Sequence, residues 1–84
     1  MITQVNEIVK VVAVFGDGQK IRPTYFLWKN KRYKISQVTY SWTSWEGKAK
    51  VHHFLVTDTN DNLFCLDYNS ESMAWTLVHV ETEG

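Results

Sequence analysis

Few side chains in this chain could do covalent chemistry. There is one thiol, Cys65, and there are three imidazoles, His52, His53 and His79. A thiol becomes a useful nucleophile when a histidine takes its proton and a third group orients that histidine. No third group stands at a recognisable spacing from Cys65. His52 and His53 are adjacent in a stretch with strand character, so they face opposite sides and cannot ligate one metal together. Neither a zinc-ligand spacing nor a phosphate-cradling glycine loop is present. The expectation is a protein that is not an enzyme, with structural histidines, no metal and no cofactor.

The run Asp58-Thr59-Asn60-Asp61-Asn62 begins like a calcium loop, D-x-N-x-N. Such a loop needs Gly at its sixth position and Glu at its twelfth. Leu63 and Asn69 stand there instead. Strand patterns flank the run on both sides, and a hairpin turn is the expected reading.

Binding chemistry is better represented. The segment Lys29-Asn30-Lys31-Arg32-Tyr33-Lys34 is basic and aromatic, and Lys20, Arg22, Lys48 and Lys50 are near it in sequence. Residues 19–50 hold these eight cations against Glu46 alone, whereas residues 51–84 hold six acids and no Lys or Arg; residues 1–18, with Lys10 against Glu7 and Asp17, bring the formal net charge to zero. A continuous basic patch would bind phosphates with an affinity that falls steeply as salt rises. Aromatic rings beside such cations are what single-stranded nucleic acids stack on. Lys29, Lys31, Arg32, Lys34, Lys48 and Lys50, with Tyr25 and Trp45, are therefore the candidate nucleic-acid contacts. Two other readings use the same charges. Lysines can guard a sheet edge against aggregation. Alternatively, the basic and acidic stretches can meet, within one barrel or between two copies in a homodimer.

The stretch Tyr40-Ser41-Trp42-Thr43-Ser44-Trp45 places three large rings in six residues. Tyr40 and Trp42 share parity with Val38, which predicts Trp42 in the core. Trp45 lies beyond the strand pattern, in a loop with Glu46 and Gly47. There it is either a ligand contact or a plug over the end of the fold.

The elements that must position these residues read as strands throughout. Period-two alternation recurs, and no segment has helical periodicity. Six strands are expected near 5–15, 24–29, 32–43, 50–58, 63–68 and 74–81. Turns fall at Gly16-Asp17-Gly18, Lys29-Asn30-Lys31-Arg32, Trp45-Glu46-Gly47-Lys48, Asn60-Asp61-Asn62 and Asn69–Ser72, and the tail from Glu81 is expected to fray. In the third strand the apolar parity slips between Ile35 and Val38, which calls for a bulge near Ser36-Gln37. The predicted fold is all-β: one domain over residues 1–84, a small antiparallel barrel or strongly bent sheet of five to six strands. Four Trp, four Tyr and four Phe among 84 residues supply the large buried surfaces that so short a chain needs. The lone cysteine and a start without a basic, apolar leader point to the cytoplasm. No apolar run approaches membrane-spanning length, so no membrane partner is expected.

The stretch Pro23–Ile35 reads P-x-x-F-x-W, a short basic turn, then Y-x-[IV], and Trp75-Thr76-Leu77 adds a final W-x-L. This pattern resembles a family of small uncharacterised bacterial all-β domains, some found near Y-family DNA-polymerase-like proteins of damage tolerance. Asn30 stands where Gly is expected, and the middle region has more hydroxyls and fewer cations. The resemblance implies an all-β domain and a link to nucleic-acid metabolism, and it carries over no catalytic residue. The combined expectation is a non-enzymatic binding module with single-stranded nucleic acid as partner. The alternative is a module that binds protein or itself.

Overall fold

The computed structural model describes residues 1–16 and 20–82 of the chain. Six antiparallel strands follow in chain order: β1 (Ile2–Phe15), β2 (Ile21–Trp28), β3 (Lys31–Glu46), β4 (Ala49–Asp58), β5 (Leu63–Asn69) and β6 (Ala74–Glu81). Each pairs with its sequence neighbour, and β1 pairs with β6 to close the ring. Of the expected Gly16-Asp17-Gly18 turn, Asp17 and Gly18 lie outside the described residues. Glu83 and Gly84 of the expected frayed tail do too. Glu81 belongs to β6, and Thr82 exchanges two hydrogen bonds with Met1, at 2.7 and 3.0 Å.

Turn chemistry sets the hairpins. Lys29 and Asn30 both adopt left-handed backbone, with φ of 52° and 59°, between the paired residues Trp28 and Lys31. Two such residues form the connection whose twist matches that of the strands. Gly47, at φ 61°, turns β3 into β4, where glycine takes that conformation without a Cβ penalty. The Asp58 carboxylate accepts the backbone N–H groups of Asn60 (2.8 Å) and Asn62 (3.0 Å) and the side-chain amide of Asn62 (3.2 Å). The run that begins like a calcium loop thus uses its first carboxylate to organise a hairpin.

The barrel interior is aromatic and aliphatic. Phe26, Phe64, Leu66, Leu77 and Val56 are fully buried. Phe26 stacks on Tyr33 at 5.1 Å and meets Phe64 edge-on at 5.1 Å. Toward the other end, Trp75 packs against Tyr68 (4.8 Å) and Phe54 (5.7 Å). Each fully buried Phe or Leu contributes on the order of 1.5–3 kcal/mol, which is why so few residues suffice to hold the ring.

β3 departs from expectation in one respect that matters for function. It carries two bulges. The first, between Ile35 and Gln37, is the one its apolar parity predicts; the second lies between Val38 and Tyr40. The Thr39 hydroxyl donates to the Leu55 carbonyl at 3.0 Å across the second bulge. A bulge adds one residue, and one residue reverses the face of everything after it. Ser41 and Thr43 therefore stand opposite Phe54 and His52 on the interior side, and Tyr40 and Trp42 point outward. The expectation of a core Trp42 is corrected: its residue is 39% exposed. Of the two readings of Trp45, the exposed one is found, at 68%, but it is the penultimate residue of β3, opposite Lys50, and not in a loop.

Candidate functional site

β2 and β3 stay paired for only four residues of each strand, from Tyr25↔Lys34 to Trp28↔Lys31. Beyond that point they part. Ile21 to Pro23 remain with β1, and Ile35 to Glu46 remain with β4. Pro23 helps to hold this opening. It offers no N–H to a neighbour, and it sits where the β1–β2 register shifts, beside Thr24, whose hydroxyl donates to the Val12 carbonyl at 2.8 Å.

The parted seam leaves a cleft of about 660 Å³. One wall is Val14, Gly16, Lys20, Ile21 and Arg22; the other is Ser41, Trp42 and Thr43, with His52 and Phe54 from β4. The seam stays open because the residues that face it, Ser41 and Thr43, are small and themselves exposed, where a ring would cover it. Burial, then the positive charge of Lys50 and the neighbouring imidazole of His53, hold the His52 imidazole below its usual pKa. At neutral pH it presents one donor and one acceptor to the cleft region. A second hollow of about 310 Å³ continues along the seam, between Arg22–Thr24 and Lys34–Val38.

The candidate contacts fall into two groups at opposite ends of β3. The guanidinium of Arg32 covers the Tyr25 ring at 4.1 Å, and Lys34 stands opposite Tyr25 in the ladder. Lys29 lies over Trp28 (4.8 Å) and Lys31 over Tyr33 (5.4 Å). These four cations and Tyr25 make one basic, aromatic hairpin. Trp45, Lys48 and Lys50 lie at the far end of a 16-residue strand. At about 3.3 Å per residue that length rivals the 38 Å long axis of the molecule. They do not join the hairpin in one patch. Lys20 and Arg22 are not part of the hairpin either, and they face the cleft instead.

Several functional candidates escape a parity argument. The outward pair Tyr40 and Trp42 lie 5.4 Å apart, and Trp42 stacks on His53. Ser41 and Thr43 line the cleft, and Ser44 contacts His53. No apolar signal in the sequence points to them, because the second bulge, at Thr39, leaves the apolar parity of Val38, Tyr40 and Trp42 unbroken. On the outside of β1 and β2, a hollow of about 530 Å³ is rimmed by Ile8, Val12, Leu27 and Met73, all exposed. The chain matches no protein-family model, no curated protein and no solved structure.

Proposed function

We propose that the protein is a binding module for single-stranded nucleic acid, with the β2–β3 cleft as the place where a base enters. One observation carries the reading: the parted seam sets Lys20 and Arg22 against a wall of Ser41, Trp42 and Thr43. A volume of about 660 Å³ lies in the range of sites that hold small organic ligands. The cations would take the phosphates, and the hydroxyls and His52 would meet base edges. Phe54 supplies an apolar floor. The exposed rings of Tyr40 and Trp42, next to the seam, offer stacking surfaces for neighbouring bases. The basic hairpin, Lys29 to Lys34 with Tyr25, would extend the track along the backbone of a longer strand. Cys65, the only thiol, is buried, and its pKa is pushed up to about 11 by burial and by Asp67. We place the protein in the reducing cytoplasm on that ground.

The test is fluorescence anisotropy of a labelled oligonucleotide at two salt concentrations. Binding at low salt that weakens steeply at high salt supports the reading; no binding at low salt removes it. A second reading, a module that binds protein or itself, is favoured by the exposed Ile8, Val12, Leu27 and Met73 around the outer hollow. Sedimentation without oligonucleotide separates the two, because only self-association gives a dimer there.

A further inference from the structure

We propose that Ser44 is a nucleophile for acyl transfer, with His53 as its general base and Asp67 as the positioning residue that orients the imidazole. Three neighbouring strands supply the three side chains, Ser44 from β3, His53 from β4 and Asp67 from β5. Ser44 Oγ lies 2.6 Å from His53 Nε2, and His53 Nδ1 lies 2.8 Å from Asp67 Oδ1. A carboxylate only accepts, so Nδ1 carries the hydrogen and donates it to Asp67. Nε2 is left with a lone pair facing Ser44, whose hydroxyl donates to it. This is the order of roles a serine nucleophile requires.

The arrangement is set by the sheet and is not needed to satisfy buried atoms. His53 stands opposite Asp67 in one ladder and opposite Trp42 in the other. Ser44 is partly exposed, and the side chains of His53 and Asp67 are 14% and 25% exposed, so water can reach both ends of the relay. The flat indole of Trp42, 4.9 Å from the His53 ring, favours the cation that forms when Nε2 takes a proton. From Ile35 onward β3 is laddered to β4 alone among the described residues, and a developing oxyanion would draw its N–H donors from the other edge of that strand.

In the acylation step the Ser44 O–H bond breaks and its proton passes to Nε2. Oγ bonds to the carbonyl carbon of an ester, and the alcohol leaves with that proton. A water then gives its proton to Nε2, attacks the acyl carbon, and the acid departs as Ser44 Oγ recovers the proton. Nothing beyond water and the ester is consumed. The substrate class is a small activated ester able to reach the outer face beside Trp42. This activity is distinct from nucleic-acid binding, although both use the outward ring of Trp42.

The experiment is incubation with a fluorophosphonate, in which Oγ displaces fluoride from phosphorus, followed by peptide mass spectrometry. The expected result is one adduct, on Ser44, absent in Ser44→Ala and formed at least ten-fold more slowly in His53→Gln and Asp67→Asn. Backbone amide spectra establish that each variant is folded. Nitrogen-15 shifts of the His53 ring give a readout that packing alone would not move: Asp67→Asn should depopulate the Nδ1–H tautomer. Hydrolysis of p-nitrophenyl acetate should fall in parallel with labelling. Adducts scattered over several hydroxyls, no adduct at all, or Ser44 labelling at an unchanged rate in His53→Gln would overturn the proposal.

Discussion

The indole of Trp42 lies flat on the imidazole of His53, with ring centroids 4.9 Å apart and planes 13° apart. This contact is on the outside of the barrel, and it follows from the second bulge in β3. One ring is thereby removed from the interior and laid over a polar network.

The first prediction concerns that displacement. Trp42→Ala should cost about 1–2 kcal/mol, because a half-exposed stacked ring leaves no closed cavity behind. Phe26→Ala should cost about 3–5 kcal/mol, enough to threaten folding in a domain of this size. Urea denaturation of the two variants checks the order. A larger loss at Trp42 than at Phe26 would contradict the outward assignment.

The second prediction concerns the cleft. Arg22→Ala and Lys20→Ala should each weaken oligonucleotide binding, and each should reduce the slope of log K against log salt by about 0.7. Lys48→Ala, at the far end of β3, should change either quantity less. Anisotropy titrations across a salt series make the comparison.

Thr43→Leu tests whether the cavity itself matters. The larger side chain should enter the open seam with little penalty, so thermal stability should hold or rise while oligonucleotide affinity drops. Unaltered affinity in the folded variant would move the site to the hairpin.

Much of the architecture was legible in the chain, for identifiable reasons. Phe64, Leu66, Trp75 and Leu77 are buried as their strand parity requires, even though the β5–β6 register shifts between Cys65 and Leu66. Asn30 marked a left-handed turn, and the slip at Ile35 marked the first bulge. The second bulge was hidden because it falls among residues that fit either face. Val38, Tyr40 and Trp42 keep an unbroken apolar parity, so nothing in the pattern announces a reversal. The cleft, the outward rings and the Ser44–His53 contact all depend on that one unannounced residue. Strand ends erred for a related reason: Ile21–Pro23 and Ser44–Glu46 are strand in backbone while lacking a partner on the seam side.

The fourth prediction concerns Asp58, whose carboxylate receives three N–H donors within its own turn. Asp58→Ala should lower stability by about 2–3 kcal/mol, since the turn amides lose a charged acceptor at a buried position. Asp58→Asn should retain part of the difference. Denaturant midpoints of the two variants test it.

The fifth concerns Cys65. With its thiol pKa pushed up to about 11 by burial and Asp67, the thiolate fraction at pH 8 is on the order of a thousandth. Reaction with a disulfide reagent should be slow in the native protein and prompt in denaturant. Prompt reaction of the folded protein would mean the thiol is open to solvent.

The paired hydrogen bonds between Met1 and Thr82 make the ring of strands indifferent to where its chain is cut. Five of the six seams join consecutive strands, and only the β1–β6 seam must be found across the whole length of the polypeptide. A circular permutant, with a short linker across Met1 and Thr82 and new ends at Gly47, would turn that distant seam into a local hairpin. The β3–β4 seam would then become the distant one. The finished barrel would be the same, but the last seam to zip shut would lie on the other side of the molecule.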